Sequence, residues 1–509
     1  MPYVVTQACC SDASCVLACP VNCLHPAPGE PGFAEAEMLY VDPRACVDCG
    51  ACATACPVGA IKPHTALSEA EQPFIALNES YYADVPHADR TPLALVPPQR
   101  RRAVTGLRVA VVGAGPAGLY TADELLRHPG VSVDVYDRLP MPYGLARSGV
   151  APDHPDTRRI MRLFAAIESQ PGFDYQLGVE LGTDVTATEL GRRYHAVVHA
   201  IGALGDRPLG IPGEELPGSL PATSFVQWYN GHPDHRDTAV DLDGERVVVV
   251  GNGNVALDVA RILTADPSAL ADTDIAPAAL AALRSSRVEE VVVLGRRGPA
   301  DAAFTVPELV GLAGLRDVDV LVEEGGCRLT ADSPRTALLQ ELSRRTPRAG
   351  RRRIVLRFRA APQRLLGDDR VTGVVVSPTD EQGVPRGDGE VLPATMVLRA
   401  VGHRVLPIPG LPYDDAAGRI PHEQGRVRPG VYLAGWLKRG PTGFIGTNKS
   451  CAEETVAALL EDHEHGLLPE PEGTLADVRA FVRDRRPDVL DLAGWRAAGG
   501  PRRSSMVGA

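Results

Sequence analysis

The chain has 509 residues, enough for about three domains and an ample buried core. Its composition (44% hydrophobic, 23% charged, mean hydropathy −0.06) is that of a globular protein, and no apolar run reaches the ~18 residues of a membrane span. A net charge of −12 supplies no basic surface for nucleic acid, and the opening MPYVVTQACC lacks the basic and apolar regions of a signal peptide. A cytoplasmic location is therefore expected.

Residues 1–86 stand apart. Ten acids there face only Arg44 and Lys62, so this short stretch carries −8 of the total charge. Nine of the eleven cysteines (Cys9, Cys10, Cys15, Cys19, Cys23, Cys46, Cys49, Cys52, Cys56) lie in the first 56 residues. Dense cysteine without an export signal reads as metal binding rather than a disulfide framework. The run from Cys46 through Cys49 and Cys52 to Cys56-Pro57 is C-x2-C-x2-C-x3-C-P, the iron–sulfur spacing in which three thiolates wrap one cluster and the fourth turns to another. Cys9, Cys15 and Cys19-Pro20 form a degenerate copy. Crossing the fourth ligands predicts a [4Fe–4S] cluster on Cys19, Cys46, Cys49 and Cys52. The second, on Cys9, Cys15 and Cys56, would be [3Fe–4S], or [4Fe–4S] if Cys10 or another group completes it. Zinc is the alternative ion, but its sites rarely use this run. Cys23 is read as a packed neighbour of a cluster.

Residues 87–106 are rich in Pro and Arg, lack periodicity and read as a linker. From 107 to about 460 short β-branched runs alternate with helical stretches, which predicts α/β architecture with mostly parallel sheet. HAVVHAIGA (195–203) and MVLRAVGH (396–403) are matching strand exits, and each is followed by Pro-Gly. They predict one domain inserted in another: a first dinucleotide-binding domain over 107–203 and 403–463, with a second over 204–402. Residues 464–509 are polar and read as a helical, partly loose tail.

Strand RVAVV runs into Gly113-x-Gly115-x-x-Gly118 and a helix, with Asp137 ending the next strand where a carboxylate can hold a ribose hydroxyl. A second fingerprint, Gly251-Asn252-Gly253-Asn254-Val255-Ala256, is followed by a strand ending in Arg296-Arg297 instead of an acid. Two guanidiniums suit a 2′-phosphate and hence NADPH. Two such folds beside iron–sulfur ligands suggest FAD plus NADP(H).

Residues 1–86 resemble the seven-iron ferredoxins. PMPYGLARSGVAPDHP (140–155), GNGNVALDVARIL (251–263), GRRGPADAAFTVPEL (295–309) and GWLKRGPTGFIGTNKS (435–450) resemble adrenodoxin-reductase-type ferredoxin–NADP reductases. The whole arrangement resembles the actinobacterial ferredoxin-fused reductases of that group. That resemblance implies an α+β bacterial ferredoxin domain followed by an α/β reductase with Rossmann-like FAD and NADP domains. It places FAD contacts on Gly118, Asp137, Leu145, Leu181, Trp436, Gly443, Phe444 and Ile445. The NADP contacts fall on Asn252–Val255, Arg296, Arg297, Glu308 and Gly443. His154 matches a histidine near the flavin and Asp258 an acid near the nicotinamide; Gly311 stands where some relatives carry a second glutamate. The implied activity is hydride transfer from NADPH to FAD, then single-electron transfer to the fused or an external ferredoxin and on to an acceptor such as a monooxygenase. The ferredoxin's acids are expected to dock on Lys438 and Arg439. An electron-carrier module and a glutamate-synthase small-subunit type are the alternatives weighed.

Overall fold

The protein is described by a computed structural model over residues 3–93 and 103–499. Of the expected linker, 94–102 lie outside the described residues, as do 500–509 of the tail.

The cysteine-rich domain is built on two short antiparallel pairings, Tyr3–Val5 with Ile61–Pro63 and Leu24–His25 with Tyr40–Val41. Helix Pro73–Asp84 closes it. Asn78, buried on that helix, accepts the Val5 and Val41 N–H groups and donates to the Val5 carbonyl, so a single side chain pins the helix to both pairings. Such pairing is what lets an amide sit inside a core.

The next sheet runs Phe173–Leu177, Ser132–Asp137, Arg108–Val112, Ala196–His199, Val431–Leu433 and Arg426–Arg428, parallel except at the last edge. Its central strands read as unbroken apolar runs because helices cover both faces. A second sheet, wholly parallel, runs Ser219–Pro221, Met396–Arg399, Arg246–Val250, Glu290–Gly295, Arg352–Phe358 and Val318–Glu323. The chain leaves the first sheet after His199, builds the second, and returns at Arg426. Its outgoing and returning connections pair with each other, Gly205–Asp206 antiparallel to His403–Arg404.

Two features differ from expectation. A three-stranded antiparallel sheet (Ala360–Leu366, Gly373–Pro378, Glu390–Pro393) covers one face of the second sheet. Residues 475–497 are packed rather than loose. Helix Leu475–Arg485 buries Val478 and Val482 against Tyr136 and Tyr194, Leu490 exchanges backbone hydrogen bonds with Leu177, and Trp495 enters the first core. Among the described residues no helix is long and apolar enough to cross a membrane.

Candidate functional site

Each glycine-rich turn is shaped by what a side chain would strike. Gly113 has φ +112°, and a Cβ there would lie 2.6 Å from the Ala200 carbonyl oxygen. At Gly118 a Cβ would collide with the Gly113 carbonyl, so helix Pro116–Leu126 can sit this close to the strand only with glycine. Asp137 accepts the Ala114 N–H at 2.8 Å and the Leu139 N–H at 2.9 Å, so it holds the turn as well as ending the strand. Burial pushes its carboxyl up, against these two N–H donors.

Three further segments close on this turn. Gly144, just before Leu145, lies against Gly115, and Leu145 is left half-exposed. Gly435, just before Trp436, faces Ala117, where any Cβ would collide. Trp436 stacks on His403 at 5.4 Å and donates to the Thr442 carbonyl. Gly443, Phe444 and Ile445 lead into helix Thr447–Glu464, with the Phe444 N–H held by Thr447 and the Ile445 carbonyl by Asn448. Leu181 packs in the cluster around Tyr136, Val179 and Val185 behind the sheet.

The second turn repeats the first. Gly251 has φ +107° and backs onto the Ala400 carbonyl, whereas a Cβ at Gly253 would meet nothing within 4 Å. The space over the N-terminus of helix Asn254–Thr264 is thus bare backbone, which fits a pyrophosphate. Asn254 accepts the Thr305 N–H at 2.8 Å, Asn252 lies against Gly295, and Val255 is exposed. Arg296 and Arg297 are exposed at the strand end, and neither has an ion-pair partner among the described residues.

His154, Asp258 and Glu308, from three separate segments, meet between the two sheets. His154 Nε2 is 3.2 Å from Asp258 Oδ1 and 3.8 Å from Glu308 Oε2. Arg261, one helical turn beyond Asp258, places Nη2 2.7 Å from Asp258 and 2.5 Å from His154 Nε2, and also pairs with Asp153. The same imidazole nitrogen therefore faces a donor and an acceptor. Neutral, it accepts from Arg261; charged, it donates to Asp258. Burial opposes its charge, but Asp258 and Glu308 outweigh burial and Arg261, and His154 is held above its ordinary value. Burial and Asp258 push Glu308 up, whereas Arg261 and His154 hold Asp258 down against burial. Arg261 was not among the expected residues, although an arginine three places after an acid on an otherwise apolar helix needs such partners.

In the N-terminal domain two matching units carry the cysteines. Helices Ser14–Ala18 and Ala51–Ala55 each begin after a left-handed residue (Ala13, Gly50) and end on a cysteine in extended backbone (Cys19, Cys56). In each, the N–H four residues on donates to that sulfur at 3.3 Å, Cys23 to Cys19 and Ala60 to Cys56. Cys19, Cys46, Cys49 and Cys52 line one cavity, with Cys23 3.4 Å from Cys19 on its wall. A four-thiolate lining fits a cluster. Cys15 is buried in the domain's own core with Cys9 and Cys56 packed against it, and burial followed by Cys9, Cys56 and Cys52 pushes its thiol up. Cys9, Cys10 and Cys56 also pack against the core of the first sheet.

That domain is docked on both halves of the rest of the chain. Gly446 donates to the Cys10 carbonyl at 2.8 Å and lies so close to Asp12 that a Cβ would overlap its backbone. Tyr120 donates to Asp12 at 3.1 Å, and Lys449 reaches Asp12 and Ser14. Against the second sheet's helices, Glu37 takes the Val306 N–H at 2.7 Å and Arg335 at 2.6 Å, Glu69 pairs with Arg316, and Gln7 donates to Glu308 at 2.8 Å. The expected docking on Lys438 and Arg439 is not what occurs. Lys438 is turned inward onto Cys451, Thr455 and Glu454, and Arg439 onto Thr442 and Asn448, where they brace helix Thr447–Glu464.

Known proteins resemble this chain in sequence and fold. The pyridine nucleotide-disulphide oxidoreductase family matches residues 107–297, and the 4Fe-4S binding domain matches 39–62. The chain is 49% identical to a probable ferredoxin/ferredoxin–NADP reductase of Mycobacterium leprae, over 98% of this chain and 93% of that one. The solved structure of Mycobacterium tuberculosis FprA in complex with NADPH superposes with a TM-score of 0.73 at 40% identity, over 79% of this chain and 95% of that one. A probable ferredoxin/ferredoxin–NADP reductase of Mycobacterium bovis is 50% identical over 98% of this chain and 90% of its own length. Identity on that scale spans the cysteine-rich domain and both sheets together, and the chain belongs to the ferredoxin/ferredoxin–NADP reductase family.

Proposed function

We propose that this chain oxidises NADPH and passes the electrons singly to iron–sulfur clusters in its own N-terminal domain, a reaction reversible in principle, for delivery to an external acceptor such as a second ferredoxin or a monooxygenase in the cytoplasm. FAD, when bound, supplies the conversion between a two-electron hydride donor and one-electron acceptors. Gly113, Gly115, Gly118, Asp137, Leu145, Leu181, Trp436 and Gly443–Ile445 are the residues proposed to hold it. Gly251–Val255 would carry the pyrophosphate of NADP(H), Arg296 and Arg297 its 2′-phosphate, and Glu308 and Gly443 its nicotinamide end. His154 would hold or release a proton at Nε2, with Asp258 and Arg261 setting which state is favoured.

A single contact carries the reading. The Cys10–Gly446 hydrogen bond, with Gly446 flat on the Asp12 backbone, seats the Cys9–Cys15 loop on the segment proposed to touch the flavin. Cys9, Cys15 and Cys56 would hold a [3Fe–4S] or [4Fe–4S] cluster on that inner side. Cys19, Cys46, Cys49 and Cys52 would hold a [4Fe–4S] cluster on the outer side. There Cys49 and Val47 are exposed, which supports onward transfer to an outside partner and gives the carrier reading its place within the same scheme.

Anaerobic titration of the iron-loaded protein with NADPH, and separately NADH, followed by absorbance and low-temperature EPR, tests this. NADPH should bleach the flavin and then change a cluster signal, with NADH poorly effective. A bleached flavin with silent clusters would overturn the internal relay.

A further inference from the structure

Glu308 has an unusual neighbour. It lies in the first turn of helix Val306–Ala313, half-buried, with Asp258, His154 and Arg261 around it, Asp153 beyond Arg261, and Glu37 two residues away on the Val306 N–H. Arg261 and His154 approach its carboxylate only to 3.9 and 3.8 Å. Among the described residues the side-chain hydrogen bond that Glu308 accepts comes from Gln7, at 2.8 Å, across 301 residues of sequence. Gln7 belongs to the iron–sulfur domain, two residues before Cys9. Room for it is made by Gly311, one turn after Glu308 on the same helix face. A Cβ at Gly311 would lie 2.5 Å from Gln7 Oε1 and 2.6 Å from Nε2.

We propose that Gln7 is a positioning residue of the NADP(H) site: the docked iron–sulfur domain inserts its carboxamide into the space left by Gly311 and fixes the Glu308 carboxylate toward His154 and Arg261. The inference rests on the reading of Glu308 as part of that site. In this arrangement the reductase half does not complete its own nicotinamide-side cluster; the ferredoxin half does. A neutral donor also suits the place, because three acids (Asp153, Asp258, Glu308) already share one guanidinium and one imidazole there. A hydrogen bond to the ionised carboxylate favours ionisation, so Gln7 works against the upward push of burial and Asp258.

The test uses the full-length holoprotein and the variants Gln7→Ala, Gln7→Glu, Gly311→Ala and Gln7→Ala/Gly311→Ala. The readouts are NADP+ affinity by calorimetry from pH 6 to 9, and kcat and KM for NADPH with ferricyanide. Thermal melting and cluster EPR show that each variant is folded and loaded. Gln7→Ala should weaken NADP+ binding and raise KM roughly tenfold with a smaller change in kcat, the scale of one lost hydrogen bond to a charged group. The acid limb of binding should move to higher pH, and further for Gln7→Glu. Gly311→Ala should expel the carboxamide and give the same phenotype, with the double variant no worse than either single one. Unchanged affinity, KM and pH profile in folded Gln7→Ala would overturn the proposal. Glu308→Gln separates the two readings. If it leaves NADP+ affinity untouched, the site itself is wrongly placed and the proposal falls with it. If it weakens binding while Gln7→Ala does not, the site stands and the role of Gln7 falls.

Discussion

The two glycine-rich turns are near copies that part at their edges. Gly113 and Gly251 share a positive φ (+112° and +107°), each backs onto the carbonyl of an alanine ending a matched strand exit (Ala200, Ala400), and each is followed by a glycine in extended backbone capping an eleven-residue helix. The third position separates them: glycine at 118, pressed on the Gly113 carbonyl, but alanine at 256. The strand ends differ as well. Asp137 is half-buried and bonded to its own turn, whereas Arg296 and Arg297 are exposed. On the proposed reading a common turn serves phosphate binding twice, and the residues at the end of the next strand set which nucleotide is bound.

The largest break in this symmetry is expected from Gly118→Ala. Its methyl group meets backbone rather than a side chain that can move, so a loss of at least about 3 kcal/mol is expected in urea unfolding. Ala256→Gly should cost about 1–2 kcal/mol, helix propensity plus one buried methyl group. Equal losses would show that the two helices are not packed as described.

Replacing Arg296 and Arg297 together by alanine should lower kcat/KM for NADPH on the order of 100-fold while sparing NADH, because two charge-assisted contacts are removed. Equal losses for both nucleotides would remove the arginines from 2′-phosphate recognition.

The strand exits give a pH test. His199 in the first sheet is buried, its Nδ1 has no hydrogen-bond partner among the described residues, and burial followed by Arg428 lowers it to about 4. Its counterpart Arg399 is ion-paired with Glu214. The folded His199 value lies below the ~6.5 of an unfolded histidine, so below pH 6.5 the unfolded chain binds the extra proton and stability falls toward pH 4. About 2 kcal/mol should be lost between pH 7 and 5, and His199→Gln should flatten that slope in unfolding measured at both pH values.

The smallest effect is expected at the open turn. Gly253→Ala should leave the melting temperature nearly unchanged yet weaken NADP+ binding roughly tenfold in calorimetry, since its Cβ meets no protein atom but occupies the phosphate's approach. Unaltered affinity would place the pyrophosphate elsewhere.

What could be read in the sequence was local. Both turns, their strands and helices, the Cys46–Cys56 run and each strand exit rest on residues close together in the chain, where spacing alone constrains geometry. The meeting of His154, Asp258 and Glu308 was signalled only through resemblance. Arg261 had a weak local cue, and Gln7 had none, because its partner is 301 residues away and the space it fills is the absence of a side chain at Gly311. Docking through Asp12, Glu37 and Glu69 was anticipated as charge but assigned to the wrong cations. Lys438 and Arg439 are near in sequence to the flavin motif, yet their side chains are spent on helix Thr447–Glu464. The packed tail escaped notice because Val478, Val482, Leu490 and Trp495 are too sparse to make a periodic stripe.

The paired connections between the sheets also bear on how the chain folds. Strand Val431–Leu433 joins Ala196–His199 across about 230 residues, a closure whose entropic cost would be about 5 kcal/mol for a flexible loop. Once the second sheet has formed and Gly205–Asp206 has met His403–Arg404, only about 30 residues remain to be closed, and the cost falls by about 2 kcal/mol. Assembly of the unit in the middle of the sequence would thus bring the two ends of its host within reach.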